Sequence, residues 1–325
     1  MHHAVSVLLA ALACQGTPPG EGLYDRVSRA SAEIYLDGHL LGSGWFAAPE
    51  GLVVTVAHGL WGVKGKVEAA TLEGTRLGAE IVAFDRGHDL ALLKVPRGER
   101  PYPFLEVAPR VPEAGAEVFL YGAAFFRHGL LLSGRVARAI PGYEYYPEQK
   151  CCARVYYIAG PSPKGVSGGC WVDAKGRVVG GQSGLMTPPG GPAGIAFAAP
   201  PEALLRLVRE RTPAATADLG VTVEELGEQA AELIRRYPSG SRGVVAALVH
   251  EGGPSHAAGI RKHAMIVSVG GSEVQTRDAF YDALRRRRPG DEVSLVVLNP
   301  DSKETTRLTL APVALESAPA GEGKR

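Results

Sequence analysis

Gly165-Val166-Ser167-Gly168-Gly169 sets a serine among glycines, and its meaning depends on two upstream segments, Thr55-Val56-Ala57-His58 and His88-Asp89-Leu90-Ala91-Leu92-Leu93. A serine hydroxyl is a poor nucleophile until an imidazole accepts its proton. The imidazole in turn needs a carboxylate to fix its tautomer and stabilise its charged form. Ser167, His58 and Asp89 supply these groups. The glycines have a mechanical purpose: the N–H groups of Gly165 and Ser167, on either side of Val166, must turn inward to hold an oxyanion, and a Cβ would obstruct that turn. Each segment alone is commonplace, as a histidine after a β run or a glycine-rich loop. Together, on β scaffolding, they specify nucleophilic acyl transfer.

The chain order His, Asp, Ser is that of chymotrypsin-like enzymes, whereas subtilisins run Asp, His, Ser and α/β-hydrolases Ser, Asp, His. The surrounding pattern agrees. From Ala32 to about Phe197 short apolar runs alternate with turn residues, at Ala32–Leu36, Gly44–Ala47, Leu52–Val56, Glu80–Phe84, Leu90–Val95, Glu117–Tyr121 and Val178–Gly181. Asp37-Gly38 and Glu50-Gly51 carry hairpin-turn chemistry. Pro200-Pro201-Glu202 opens a helix over Ala203–Arg211, and Thr212-Pro213-Ala214-Ala215-Thr216 is turn-rich. A second unit then reads strand (220–223), helix (225–236), strand (243–250), strand (265–269), helix (277–288) and two strands (292–298, 305–310). The expected class is mainly β, a chymotrypsin-like double β-barrel at 24–212 followed by a small α+β domain at 217–313, with a leader at 1–20 and a disordered tail at 314–325.

At 325 residues the chain can bury two cores, and 35 Lys plus Arg against 34 Asp plus Glu leave no basic field to recruit nucleic acid. The dense basic run Arg285–Arg288 precedes Pro289-Gly290 and reads as a solvated helix end. Ala4–Ala13 is apolar but shorter than the roughly 20 residues of a membrane span, and reads as an export signal. Ala11-Leu12-Ala13-Cys14 resembles a bacterial lipoprotein box with two positions exchanged. Lipidation of Cys14, simple secretion and an uncleaved N-terminus all stay open. Cys151, Cys152 and Cys170 permit one bridge, Cys170 to either neighbour, or three buried thiols. No spacing suggests a metal, and no cofactor is expected.

Beyond the triad the sequence resembles the HtrA (Deg) envelope proteases. Gly42-Ser43-Gly44-Trp45-Phe46, Pro49-Glu50-Gly51-Leu52-Val53-Val54-Thr55 and Ala57-His58 follow the family's Gly-Ser-Gly strand, turn and histidine segment. Asp89-Leu90-Ala91-Leu92-Leu93-Lys94-Val95 is similar to its aspartate segment, Tyr121-Gly122 with Ser133-Gly134-Arg135-Val136 to its central hairpin, and Gly194–Pro200 to the strand before its last helix. Leu219-Gly220-Val221-Thr222 resembles a PDZ carboxylate loop, in which backbone N–H groups hold a peptide C-terminus and a strand edge pairs with the peptide. Gly252–Ile260 and Ile266–Gly271 are similar to the interior of HtrA-type PDZ domains, and Phe280 and Leu284 are expected to wall the groove. The resemblance implies a serine endopeptidase of the cell envelope, with polypeptide substrates, peptide C-termini as PDZ partners and, as family members commonly do, a homotrimeric assembly.

The departures are Val166 and Cys170, where the family usually has Asn and Pro, and Ala159-Gly160-Pro161-Ser162-Pro163 in place of a Thr-Asp pair. They keep open a second reading, a protease-fold scaffold or chaperone that binds peptides without useful turnover. Val166 also removes the acid that digestive relatives pair with a new N-terminus, so no zymogen step is expected. Pro161, six residues before the serine, and the lack of Asp or Glu over 153–167 point to cleavage after small or medium apolar residues.

Overall fold

The computed structural model describes residues 22–315; the expectation about Cys14 lies outside the described residues. A short helix α1 (Leu23–Arg29) leads into β1 (Ser31–Leu36), β2 (His39–Ala48), β3 (Leu52–Val56), β4 (Val67–Ala70), β5 (Arg76–Gly78), β6 (Glu80–Asp85) and β7 (Leu90–Lys94). They form one antiparallel sheet ordered β5-β4-β1-β2-β3-β7-β6. β3 lies inside it, between β2 and β7, with all five residues buried, which is why Leu52–Val56 reads as an unbroken apolar run. Asp37 and Gly38, at φ 49° and 82°, make the two-residue turn between β1 and β2.

The second sheet closes on itself. β8 (Glu117–Ala124), β9 (Arg127–Tyr146), β10 (Cys151–Ala159), β11 (Cys170–Val172), β12 (Val178–Leu185) and β13 (Ile195–Ala199) form a barrel ordered β10-β13-β12-β11-β8-β9. Its core holds Trp171, Tyr156 and Ile158. α2 (Pro201–Glu210) opens on a proline at its first turn and buries Leu204 and Leu207 against β7 and β12 residues.

The C-terminal sheet runs β15 (Val221–Glu225), β16 (Val244–Val249), β17 (Met265–Val269), β19 (Val293–Leu298), β20 (Thr305–Leu310), with β18 (Ser272–Glu273) on β17. β14 (Ala217–Asp218) pairs separately with β21 (Val313–Ala314). α3 (Ala231–Ile234) and α4 (Pro254–Ala257) are single turns, and α5 (Arg277–Arg285) is the one longer helix here, capped by Thr276 Oγ1 accepting from Ala279 N–H. The expected helix over 225–236 is not formed. Glu225 is extended and caps a 3-10 turn at Leu226–Glu228, and Gln229 is extended again before α3 starts, so the segment folds as two unlinked turns.

The two units are in direct contact. β9 lies against α5, where Tyr143 stacks on Tyr281 at 5.0 Å, Tyr143 Oη donates to Asp282 at 2.9 Å and Arg138 pairs with Asp278 at 2.7 Å. Arg285 donates to the Cys152 carbonyl at 3.0 Å, so the basic run at 285–288 is solvated only from Arg286 onward. Phe280 and Leu284, expected to wall a groove, are fully buried within the C-terminal core; the helix face turned to the β9–β10 hairpin is Asp278, Tyr281, Asp282 and Arg285.

Candidate active site

β3 ends at Val56 and delivers His58 to the junction of the two sheets, while a 3-10 turn at Arg86–His88 hands on to Asp89 just before β7. Asp89 sits in the left-handed region at φ 56°, which turns its carboxylate back toward His58. Asp89 Oδ1 accepts the His58 backbone N–H at 2.8 Å, and Oδ2 lies 2.8 Å from His58 Nδ1. A carboxylate on Nδ1 keeps the proton there and leaves Nε2 as the base. Asp89 is fully buried, whereas the His58 side chain is 23% exposed, so the pair runs from the interior to the cleft. Burial pushes the His58 imidazole down, but the charge and hydrogen bond of Asp89, with the charge of Glu148, outweigh it and the net direction is upward from 6.5. His88, the neighbour of Asp89, is not part of this pair. It bonds Asp85 at 3.0 Å, and Arg206 bonds the same carboxylate at 3.0 Å.

Ser167 lies in the loop between β10 and β11, which is tied to two strands, β2 and β12. Ser43 N–H donates to the Ser167 carbonyl at 2.8 Å, Ser43 Oγ to the Gly165 carbonyl at 2.9 Å, and Gly168 N–H to the Gln182 carbonyl at 2.7 Å. Gln182 precedes Ser183, whose hydroxyl donates to Asp89 Oδ2. The serine loop and the His58–Asp89 pair are thus moored to consecutive residues of β12. Gly168 has no substitute: at φ 85°, a Cβ would lie 2.1 Å from the Ser43 carbonyl oxygen.

The orientation of one peptide decides what the loop can do. Val166 N–H donates to Pro163 C=O at 3.3 Å around Gly165 at φ 102°, a type II turn. The Lys164 carbonyl accepts Phe125 N–H at 2.7 Å. Since the described residues contain no cis peptide, the Gly165 N–H points away from Phe125. Among the described residues neither Gly165 N–H nor Ser167 N–H donates to another group. Two free N–H groups beside a serine hydroxyl are the donors that a developing oxyanion requires.

Val166 is buried in the barrel core, and Cys170 in the core shared by β2, β12 and α2. Cys151, Cys152 and Cys170 are free buried thiols, so the bridge left open above is not formed. Burial pushes Cys152 and Cys170 up to about 12, which makes them poor nucleophiles. Several supporting residues had no signal in the sequence: Ser183, Tyr146 (bonded to Ser183 Oγ at 2.6 Å) and Gln149 (bonded to Asp89 Oδ1 at 2.7 Å).

In the C-terminal unit Leu219 and Val221 are buried core residues, and Thr222 is nearly so. Gly220, at φ 66°, gives its N–H to the Asp218 carboxylate at 2.8 Å, and Tyr281 Oη donates to the Val221 carbonyl at 3.3 Å. The loop expected to receive a peptide carboxylate therefore already holds a carboxylate of its own.

The family model for a trypsin-like peptidase domain matches residues 42–180, and that for a PDZ domain residues 217–310. A probable periplasmic serine endoprotease, DegP-like, from Rickettsia prowazekii (strain Madrid E) is 28% identical over 269 residues, 81% of this chain and 51% of its own length. The protein of the same description from Brucella suis biovar 1 (strain 1330) is 27% identical over 86% of this chain and 54% of its own length. The chain thus spans about half the length of these relatives. Among solved structures, the HtrA-type protease AlgW with decapeptide superposes with a TM-score of 0.64 at 21% identity, covering 90% of this chain and 98% of that one. The serine endoprotease from Yersinia pestis does so with 0.59 at 19% identity, covering 90% and 96%. Both domain families are matched in this order and DegP-like relatives align over four-fifths of its length, so the chain carries a trypsin-like peptidase domain followed by a PDZ domain and is similar in sequence to DegP-like endoproteases and in fold to HtrA-type proteases.

Proposed function

We propose that this chain is a serine endopeptidase of the bacterial periplasm that hydrolyses unfolded or misplaced polypeptides, with its peptidase unit at 24–212 and its PDZ unit at 217–313. The observation that carries the reading is the mooring of the Asp89–His58 pair and the serine loop to the consecutive β12 residues Ser183 and Gln182, with the Gly165 and Ser167 N–H groups left free. His58 Nε2 takes the Ser167 proton as Oγ attacks the scissile carbonyl, and the resulting oxyanion is held by the two N–H groups. The imidazolium, steadied by Asp89, gives that proton to the leaving amine. Water then repeats the sequence on the acyl-enzyme and restores Ser167.

The burial of Val166 and Cys170 in apolar cores favours turnover over a scaffold that only binds, because neither side chain intrudes on the cleft. Pro161 and Ser162 bring no charge to the pocket side of the loop, and the Ser162 hydroxyl is engaged by Gln182 at 2.6 Å, which fits small or medium apolar side chains. The PDZ unit takes polypeptide C-termini along Leu219–Thr222. Anchoring through Cys14 and assembly as a homotrimer belong to the same reading and rest on the family resemblance. Labelling by a fluorophosphonate probe tests the proposal: the full chain should label and Ser167→Ala should not. No labelling, with peptide activators included, would favour the scaffold.

A further inference from the structure

We infer that Gln149 is a positioning residue for the Asp89–His58 pair, an amide delivered from the β9–β10 turn that completes the hydrogen bonding of the buried carboxylate. This deepens the reading above and rests on it. Asp89 is fully buried, and a buried carboxylate stays ionised and in place only if its oxygens are supplied with donors. Oδ2 receives His58 Nδ1 and the Ser183 hydroxyl; Oδ1 receives His58 N–H and Gln149 Nε2 at 2.7 Å. Without Gln149, Oδ1 keeps a backbone N–H alone. The charge on Asp89 fixes the amide orientation, since the reversed amide would set oxygen against oxygen.

Several features show that Gln149 is held for this purpose. It is only 2% exposed although it lies in a turn, where polar side chains ordinarily face water. Its own Oε1 is buried and bonds no group among the described residues, a cost the fold carries without return except through the donor. Its backbone is clamped: the carbonyl accepts from the Arg86 guanidinium, and its N–H donates to Tyr146 C=O at 3.1 Å. Arg86 is itself buried, lies over the Trp61 ring at 4.2 Å and also donates to the Leu315 carbonyl beyond β21. The clamp therefore joins the peptidase site to the segment that follows the PDZ sheet. The other titratable or charged groups that act on the pair are Tyr146 from β9 and Glu148 from the turn, with Arg86 behind them on the Gln149 carbonyl; none of them bonds Asp89.

The test uses the full chain with Gln149→Met, which keeps length and removes the donor. Turnover should fall about tenfold to a hundredfold, the range for losing a hydrogen bond to a charged group, while KM changes little because Gln149 does not face the substrate. Asp89, stripped of a donor, concentrates its charge on His58. The His58 titration midpoint, read by NMR of the imidazole protons, should therefore rise by about half a unit or more. Unchanged turnover together with an unchanged midpoint would overturn the inference. Gln149→Glu is the second variant. A buried carboxyl beside Asp89 stays protonated near neutrality and can donate, so this variant should outperform Gln149→Met there and lose activity as pH rises. A loss of equal size at every pH would also count against the inference. The NMR readout needs no turnover, so it stands even if Ser167 fails to label, and the two proposals fail separately.

Discussion

Two loops in this chain turn a glycine N–H toward a place where an oxygen is wanted, and they differ in whether an oxygen is already there. Between β10 and β11, Phe125 holds the Lys164 carbonyl, so that the Gly165 N–H is left free beside Ser167. Between β14 and β15, the Gly220 N–H is taken by Asp218 at 2.8 Å, and the nearby hairpin residue Tyr143 is buried in the same apolar cluster as Leu219, Val221 and Tyr281. The lesson is about readiness. On the proposed reading, one loop is preorganised for an incoming charge and needs no rearrangement, and the other must release an internal carboxylate before it can accept an external one.

The largest effects break the first loop. Ser167→Ala should lower turnover on the order of 10⁴- to 10⁶-fold, measured with an unfolded protein substrate, because the remaining N–H groups bind without forming the acyl-enzyme. Gly165→Ala comes next. Its Cβ would stand 2.3 Å from the Ala123 carbonyl at a φ of 102°, so the turn must rearrange and the Gly165 N–H is lost to the oxyanion. Turnover should fall about 10²- to 10³-fold with labelling slowed in step, and the left-handed strain should cost about 1–3 kcal/mol in denaturant unfolding. Wild-type turnover in this variant would show that the peptide orientation is not what prepares the loop.

The second loop can be made to resemble the first. Asp218→Ala removes the internal acceptor and its charge from Gly220. A peptide with a free C-terminal carboxylate should then bind about tenfold tighter, about 1.4 kcal/mol, by fluorescence polarisation, while the same peptide amidated should gain nothing. Equal gains for both would mean that the Gly220 N–H is not a carboxylate seat.

The contrast between the loops also marks where the sequence was legible. His58, Asp89 and Ser167 stand out because each sits in a short local pattern, a buried strand end or a glycine turn, whose chemistry is written in adjacent residues. Gln149 and Ser183 do not, since they meet Asp89 across 60 and 94 residues of chain and nothing in Glu148-Gln149-Lys150 marks a buried donor. β9 is obscured for another reason: Gly129, Gly134, Pro141 and Gly142 give its 20 residues the composition of loops, and the ladder to β10 slips opposite that Pro-Gly pair. Residues 225–236 have helical composition, but the 3-10 turn capped by Glu225 ends at the extended Gln229 before α3 can join it. Asp218 could not have been read as a plug, because its bond to the Gly220 N–H depends on how the chain turns between the two residues.

The smallest effect concerns the charge that the prepared site carries at rest. His58 must be neutral to accept the serine proton, and its folded value lies above 6.5, so kcat/KM should rise with pH along a limb whose midpoint is above that figure. Burial opposes this direction and Asp89 supplies most of what outweighs it; Glu148, in the exposed turn beside Gln149, adds to the same side. Glu148→Gln removes a charge that favours the imidazolium, so the limb should move to lower pH, by about a few tenths of a unit for an exposed charge. The shift should shrink between low salt and about 1 M salt, where the screening length drops to about 3 Å, whereas the Asp89 contribution, fully buried, should persist. A limb that moves upward, or one whose salt dependence is unchanged by Glu148→Gln, would place the source of the raised value wholly within the buried pair.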